Sequence, residues 1–406
     1  MNSIKPAYTH PVIVFNCGYN GLSILQELGS IGVQCYAMDC KRSVGTFTKY
    51  AKFYKCPDPL YDESQFIDYL YNFCGNQKAK PVLFPTNDKW AYGISKHKTR
   101  LQEVALPCVA EFDVIRKLIL KDQFYNIGQK SQYMTPKTWN YHDAYKISFP
   151  VIAKPVFRGI SSDTNEAEKF RFLNDNRLKL IQNTDELRDF IEKAGDYKKY
   201  IVFQQFVRGM SDMMHTVGIY ANENSEVLSV FTGRKVRGYP ADSGDNVVGE
   251  SYKVPDSIIK NSVRIVKEMK YSGIAEFEYK KDEVTGDYFL IEINPRAWSW
   301  IGITPYCGVN IPVIAYQNMT GGDVAIENQQ YNYNFRYVKL MQDFSNCLFR
   351  YRKMHPKWSM GILEWWKETR STKKIYAEFH KKDYLIPLVS AVYVTANLLL
   401  YKNRTV

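Results

Sequence analysis

Residues 272–300, SGIAEFEYKKDEVTGDYFLIEINPRAWSW, constrain the chain more than any other stretch. They read as two strands, 274–280 and 288–294, joined by a polar turn at Thr285, Gly286 and Asp287. Strand side chains alternate, so Glu276 and Glu278 share one face of the first strand. Glu292 and Asn294 share a face of the second, with Phe289, Ile291 and Ile293 pointing the other way. Pairing about residue 284 sets Glu276 opposite Glu292; a one-residue shift of that centre puts Glu278 there instead. Carboxylates facing each other destabilise a ladder. A bound cation reverses that cost, and two carboxylates with an amide oxygen are hard ligands suited to Mg²⁺. Without a cation the stretch is an acidic hairpin with a solvated edge.

A chain of 406 residues is long enough for two or three domains with their own cores. An apolar fraction of 45% with 24% charged residues is globular. The eight cysteines contain no C-x-x-C pair and read as reduced thiols of a cytosolic protein. The start, MNSIKPAYTH, has no basic run leading into an apolar one, so no secretory signal is expected. The net charge of +12 favours anionic partners, among them nucleotides, acidic sugars, a membrane surface and nucleic acid.

Residues 11–39 read strand, glycine turn, helix, strand, ending at Asp39. Gly18 and Gly21 match the last two glycines of a dinucleotide fingerprint, and Asn16 holds the place of the first. The turn is either a phosphate or substrate loop at a helix N-terminus or a tight turn of a doubly wound sheet. A helix over 63–73 leads to the strand PVLFPTND, whose end offers Asp88 as a substrate contact or as the N-cap of the next helix. Further on, an apolar strand at 150–153 delivers Lys154, a point charge suited to a nucleotide phosphate. A cap at Thr184 opens an amphipathic helix. In the strand VLSVFTGRKVRGYP, Lys235 and Arg237 share a face and Arg234 takes the other. They either capture an acidic substrate beneath a mobile loop, ADSGDNVVGE, or form a solvated basic edge.

Glu276, followed after sixteen positions by Glu292-Ile293-Asn294-Pro295-Arg296, resembles the metal hairpin of the ATP-grasp superfamily of ligases and carboxylases. The resemblance covers about residues 10–325 and is strongest to predicted carboxylate–amine ligases of the D-aspartate ligase-like branch. It implies an α/β fold, with a small Rossmann-like domain at 1–115 before an ATP-grasp domain at 116–325. A separate helical, aromatic and basic extension would follow at 326–406. Glu276, Glu292 and Asn294 would hold Mg²⁺, or Mn²⁺, against the phosphates of ATP, with Lys121 and Lys154 gripping those phosphates. The loop carrying Arg158, Ser161 and Ser162 would close over the nucleotide. Backbone groups of Gln204, Gln205, Phe206 and Val207 would meet the adenine at a hinge. Asp212 would take the ribose; at this hinge the family often has Glu, and Gln204 stands there instead. Lys154 and Arg296 would be catalytic, Arg296 steadying an acyl-phosphate, and Asp88, Lys235 and Arg237 would hold the acid. The implied reaction joins a small-molecule or glycan-linked carboxylate to an amine, with cell-wall and surface-glycan precursors in view. A basic nucleotide- or nucleic-acid-binding module without ligase activity is the other reading. It accounts for the positive charge but not for the acidic hairpin, so nucleic acid is not expected.

The segment YLIPLVSAVYVTANLLLY, 384–401, is close to the length that spans a bilayer, but Pro387, Ser390, Thr395 and Asn397 interrupt it. Its apolar residues follow helical spacing. Lys381, Lys382, Lys402 and Arg404 flank it. It reads as a helix that docks on the enzyme or as one that meets the anionic inner face of a membrane.

Overall fold

A computed structural model describes residues 8–156, 178–241, 244–324, 332–370, 373–380 and 382–402. The first sheet is parallel and runs β3-β2-β1-β4-β5, with β1 Val12–Phe15, β2 Cys35–Asp39, β3 Ala51–Lys55, β4 Val82–Pro85 and β5 Leu106–Pro107. Each residue of VIVF in β1 is buried, as expected of a parallel strand covered on both faces. Helix α1, Tyr19–Ser30, follows the glycine turn. Helix α2, Asp88–Lys96, is capped by Asn87, whose side chain accepts from the Lys89 N–H at 3.1 Å. Asp88 is therefore not the cap.

A four-stranded antiparallel sheet comes next, in the order β6-β9-β7-β8. Its strands are β6 Thr138–Asn140, β7 Val151–Pro155, β8 Lys179–Ile181 and β9 Ile201–Gln205. The helix Thr184–Ala194 packs on it through Leu187 and Phe190. Its cap is Asn183, which accepts from the Glu186 N–H at 2.9 Å, rather than the expected Thr184.

The largest sheet has seven strands: β10 Met214–Ala221, β11 Val227–Tyr239, β12 Asp245–Ser251, β13 Gly273–Lys281, β14 Tyr288–Asn294, β15 Phe335–Val338 and β16 Lys373–Tyr376. Their order is β14-β13-β10-β11-β12-β15-β16. Two expectations are corrected here. Residues 245–251 are not a mobile loop but strand β12, paired on both sides, by β11 and by β15. The chain after residue 326 is not a separate helical extension either, since β15 and β16 complete this sheet. Trp298, Trp300, Ile301, Tyr337 and Ile375 share one core with Val12, Val14 and Ile24 of the first domain. Gly218 makes room for that packing, because a Cβ there would run into the Trp298 indole.

Helix α3, Leu385–Lys402, docks on the first domain. Ile386 is fully buried against Leu22 and Val44, and the Ser390 hydroxyl meets the Tyr19 hydroxyl at 2.6 Å. Ahead of the helix, Asp383 accepts from Gln26 Nε2 at 2.9 Å and from the Lys49 N–H at 3.2 Å. Among the described residues, no helix is long and apolar enough to cross a membrane. Ile386→Ala should cost about 2–4 kcal/mol of stability in denaturant unfolding. Removing residues 383–406 should cost more and promote aggregation, because Leu22 and Val44 then face water. A truncated protein melting at the wild-type temperature would contradict the docked role.

Candidate active site

The hairpin β13–β14 pairs Glu276 with Asn294 and Glu278 with Glu292. This is the register centred one residue beyond 284, with Glu278 rather than Glu276 facing Glu292. A bulge between Glu278 and Tyr279 places Ile291 outside the ladder. The alternation therefore changes phase: Leu290 joins Ile293 in the core and Ile291 turns to the cleft, against the expected grouping of Phe289, Ile291 and Ile293.

Glu276 and Glu278 are buried at 4% and 7% exposure. Thr216 Oγ1 donates to Glu276 Oε1 at 3.0 Å, and Asn294 Nδ2 to Glu276 Oε2 at 3.1 Å. Lys235 Nζ lies 2.7 Å from Glu278 Oε1, and Lys121 Nζ lies 3.4 Å from Glu292 Oε2. Burial raises the Glu276 carboxyl above its ordinary range against the pull of Lys235 and Arg296. Burial first, then the charges of Glu276 and Glu292, push Glu278 up to about 8 despite its ion pair with Lys235.

Two clefts meet at this cluster. The smaller, about 100 Å³, lies between the four-stranded sheet and the hairpin, where Lys154, Gln204, Gln205, Val207 and Met214 form its walls. Lys154 Nζ donates to Gln204 Oε1 at 2.6 Å, a pair made possible by the β7–β9 ladder. The larger, about 250 Å³, opens toward the first domain and carries Asp88, Arg296, Asn16, Asn20, Asp245 and Asn246. Lys121, Lys235, Glu278, Ile291 and Glu292 line both.

The remaining predicted residues divide. Arg296 Nε donates to Asp88 Oδ1 at 3.0 Å and Nη2 to Asn294 Oδ1 at 3.0 Å, so Asp88 and Arg296 share the larger cleft with the hairpin. Phe206 is off the cleft wall, its ring 5.7 Å from the Lys280 ammonium. Asp212 sits in the turn Ser211–Met213 and lines neither cleft. Arg158, Ser161 and Ser162 lie outside the described residues.

Arg237 is corrected. A bulge around Val236 pairs Lys235 and Arg237 with the adjacent residues Gly249 and Val248, so the two cations cannot share a face. Lys235 reaches Glu278, while Arg237 forms a two-pronged pair with Asp343, at 2.8 and 2.9 Å, away from the clefts.

The glycine turn reaches the larger cleft. Asn16 has φ +57°, a conformation that asparagine tolerates better than most residues, and lines the larger cleft with Asn20. Asp39 accepts from the Cys17 N–H at 3.1 Å and so holds the turn. An asparagine in a glycine's place was the available signal for Asn16. Asp245 and Asn246 had none, being hidden in the supposed loop.

The sheet arrangement recurs in solved structures. The N5-carboxyaminoimidazole synthetase of Staphylococcus aureus superposes with a TM-score of 0.61 at 13% identity, over 88% of this chain and 89% of that one. The biotin carboxylase domain of 2-oxoglutarate carboxylase from Hydrogenobacter thermophilus, in complex with MgADP, gives 0.60 at 14% identity, over 81% and 73%. These show the fold. A family model described as ATP-grasp in the biosynthetic pathway with Ter operon matches residues 217–342, which include Lys235, Glu276, Glu292, Asn294 and Arg296. Over those residues the chain resembles the ATP-grasp family. It is also similar to D-aspartate ligase of Enterococcus faecium (strain Aus0004), at 26% identity over 255 residues. That similarity covers 59% of this chain and 58% of the ligase, so the chain spans less than two thirds of that relative.

The donor set of the hairpin fits a hard divalent cation. Glu276, Glu278, Glu292 and Asn294 offer oxygen ligands, and burial holds two of the carboxyls above their ordinary range. Among the described residues, no three acidic, histidine or cysteine side chains already stand in ligating positions. The ammonium groups of Lys235 and Lys121 pair with the carboxylates instead.

Proposed function

We propose that the protein is an ATP-dependent carboxylate–amine ligase of the ADP-forming kind. The observation that carries this reading is that the two clefts join at Lys121, Lys235, Glu278 and Glu292. ATP occupies the smaller cleft, with its adenine against the strand end at Gln204–Val207 and its phosphates toward Lys154 and Lys121. The acid lies in the larger cleft. Glu276, Glu292 and Asn294 would hold Mg²⁺, with Glu278 beside them, and the ion would supply positive charge to the phosphates; Mn²⁺ has the same ligand preference.

The substrate carboxylate oxygen attacks the γ-phosphorus, the bond to the β–γ bridging oxygen breaks, and ADP leaves. An amine nitrogen then attacks the acyl carbon, phosphate departs with the C–O electron pair, and the nitrogen loses a proton to give the amide. Arg296, fixed by Asp88 and Asn294, faces the acyl-phosphate and carries part of its charge. Lys121 and Lys154 orient the phosphates, while the walls of the clefts keep water from the activated acid.

The D-aspartate ligase relative makes aspartate the first acid to test, with amine-bearing cell-wall and surface-glycan precursors as acceptors. Reliance on ATP suits a cytoplasmic setting. Phosphate release should depend on MgATP and on an acid and an amine together, with ADP formed in equal amount. Release of AMP and pyrophosphate would overturn the acyl-phosphate mechanism.

A further inference from the structure

The larger cleft is lined by two residues whose polar side-chain atoms have no partner among the described residues, Asn246 of β12 and Trp300 beyond β14. Asn246 is 1% exposed, and neither its Nδ2 nor its Oδ1 has a hydrogen-bond partner among the described residues. Trp300 is also 1% exposed, and its indole Nε1–H is likewise unpartnered. Both residues line the cleft. They also adjoin each other: a Cβ built at Gly249 would stand 2.9 Å from Asn246 Oδ1 and 2.7 Å from Trp300 Cε3. Burying an amide without partners costs stability, and folds retain such groups where something else satisfies them.

The donors and acceptors here call for a group that both donates and accepts. Asn246 presents N–H donors and one carbonyl acceptor, and Trp300 adds a donor. A carboxylate, which only accepts, would leave Asn246 Oδ1 unpaired; an ammonium, which only donates, would leave every N–H unpaired. A planar amide matches both, its N–H donating to Asn246 Oδ1 while its carbonyl accepts from Nδ2 and from the indole. The buried cation on this flank does not alter the choice. Lys339 donates its backbone N–H to Val247 O at 3.0 Å, and its ammonium stands 5.5 Å from the Tyr19 ring centre. Burial lowers the Lys339 ammonium from its ordinary range, against the pull of Asp245 and Glu378, so its charge already has two acidic neighbours.

We propose that Asn246 and Trp300 form an amide-reading subsite, so that one of the two compounds joined in this cleft carries a carboxamide or peptide unit beside its reacting group. The proposal rests on the ligase reading for its site, but not for its stability readout.

Succinamate and succinate differ only in an amide in place of one carboxylate, and they serve as probes at millimolar concentration with MgATP. Succinamate should bind the wild-type protein roughly tenfold or more tightly than succinate in thermal-shift titrations. In Asn246→Leu and in Asn246→Asp, which keeps the shape but presents only acceptors, that preference should vanish while the shift from MgATP alone persists. Without ligands, Asn246→Leu should melt above the wild type, because an unsatisfied buried amide has been replaced by an apolar group of similar size. Equal or tighter binding of succinate, no binding of succinamate, or an Asn246→Leu protein that melts below the wild type would each overturn the subsite. If MgATP shifts neither protein, the ligase reading fails separately, and the unliganded melting temperatures still judge Asn246.

Discussion

Glu292→Gln should lower ATP turnover by about 10³-fold or more while leaving the melting temperature near that of the wild type. Glu292 pairs across the hairpin with Glu278, and its side chain is 27% exposed, so the neutral isostere removes a ligand without emptying the core. One of the charges that hold Glu278 high also disappears, so that carboxyl should titrate closer to its ordinary range. Phosphate release and melting curves measured on the same preparation separate chemistry from folding. Turnover at the wild-type rate would remove Glu292 from the metal site. Parallel Glu276→Gln and Glu278→Gln variants decide which carboxylate of β13 joins it. Glu278→Gln should also lose stability, because Lys235 keeps a buried charge with one partner fewer.

Among single substitutions, the largest loss of stability is expected away from the clefts. Arg237→Met should destabilise the protein by about 3–5 kcal/mol in denaturant unfolding. Asp343 is fully buried, and the two-pronged pair with Arg237 is its charged contact. The hydrogen bond from Trp365 Nε1, at 2.9 Å, remains but brings no positive charge. The double variant Arg237→Met/Asp343→Leu should recover most of the loss, since removing both charges leaves neither stranded. ATP affinity should be unchanged in the folded fraction. A stable Arg237→Met protein with weakened acid binding would return Arg237 to the substrate site.

These two residues mark how far local pattern reaches. Alternation along 272–300 is enough to find a hairpin with acids on one face, and apolar run length is enough to deliver Lys154 from a strand. The period-2 and period-3.6 signals depend on neighbours in the chain, so the first βαβ unit and the hinge strand are readable there as well. Phase and partner are different matters. The bulge at Ile291 decides that Glu278 faces Glu292, and the bulge at Val236 sends Arg237 away from Lys235. Both arise from the fit between strands rather than from either strand alone.

Capping shows the same limit at short range. Asn183 and Thr184 are both competent caps, and which one serves depends on where the chain enters the helix. Arg237 and Asp343 lie 106 residues apart, and no local period links them. Residues 245–251 look like a glycine-bearing loop until β11 and β15 take up their backbone groups on either side. The amino-acid sequence by itself determined the first βαβ unit, the strand that delivers Lys154 and the acidic hairpin with its chemistry. Only the tertiary structure decided register, partners and the wall that holds Asn246, because each depends on hydrogen bonds and charges supplied by distant strands.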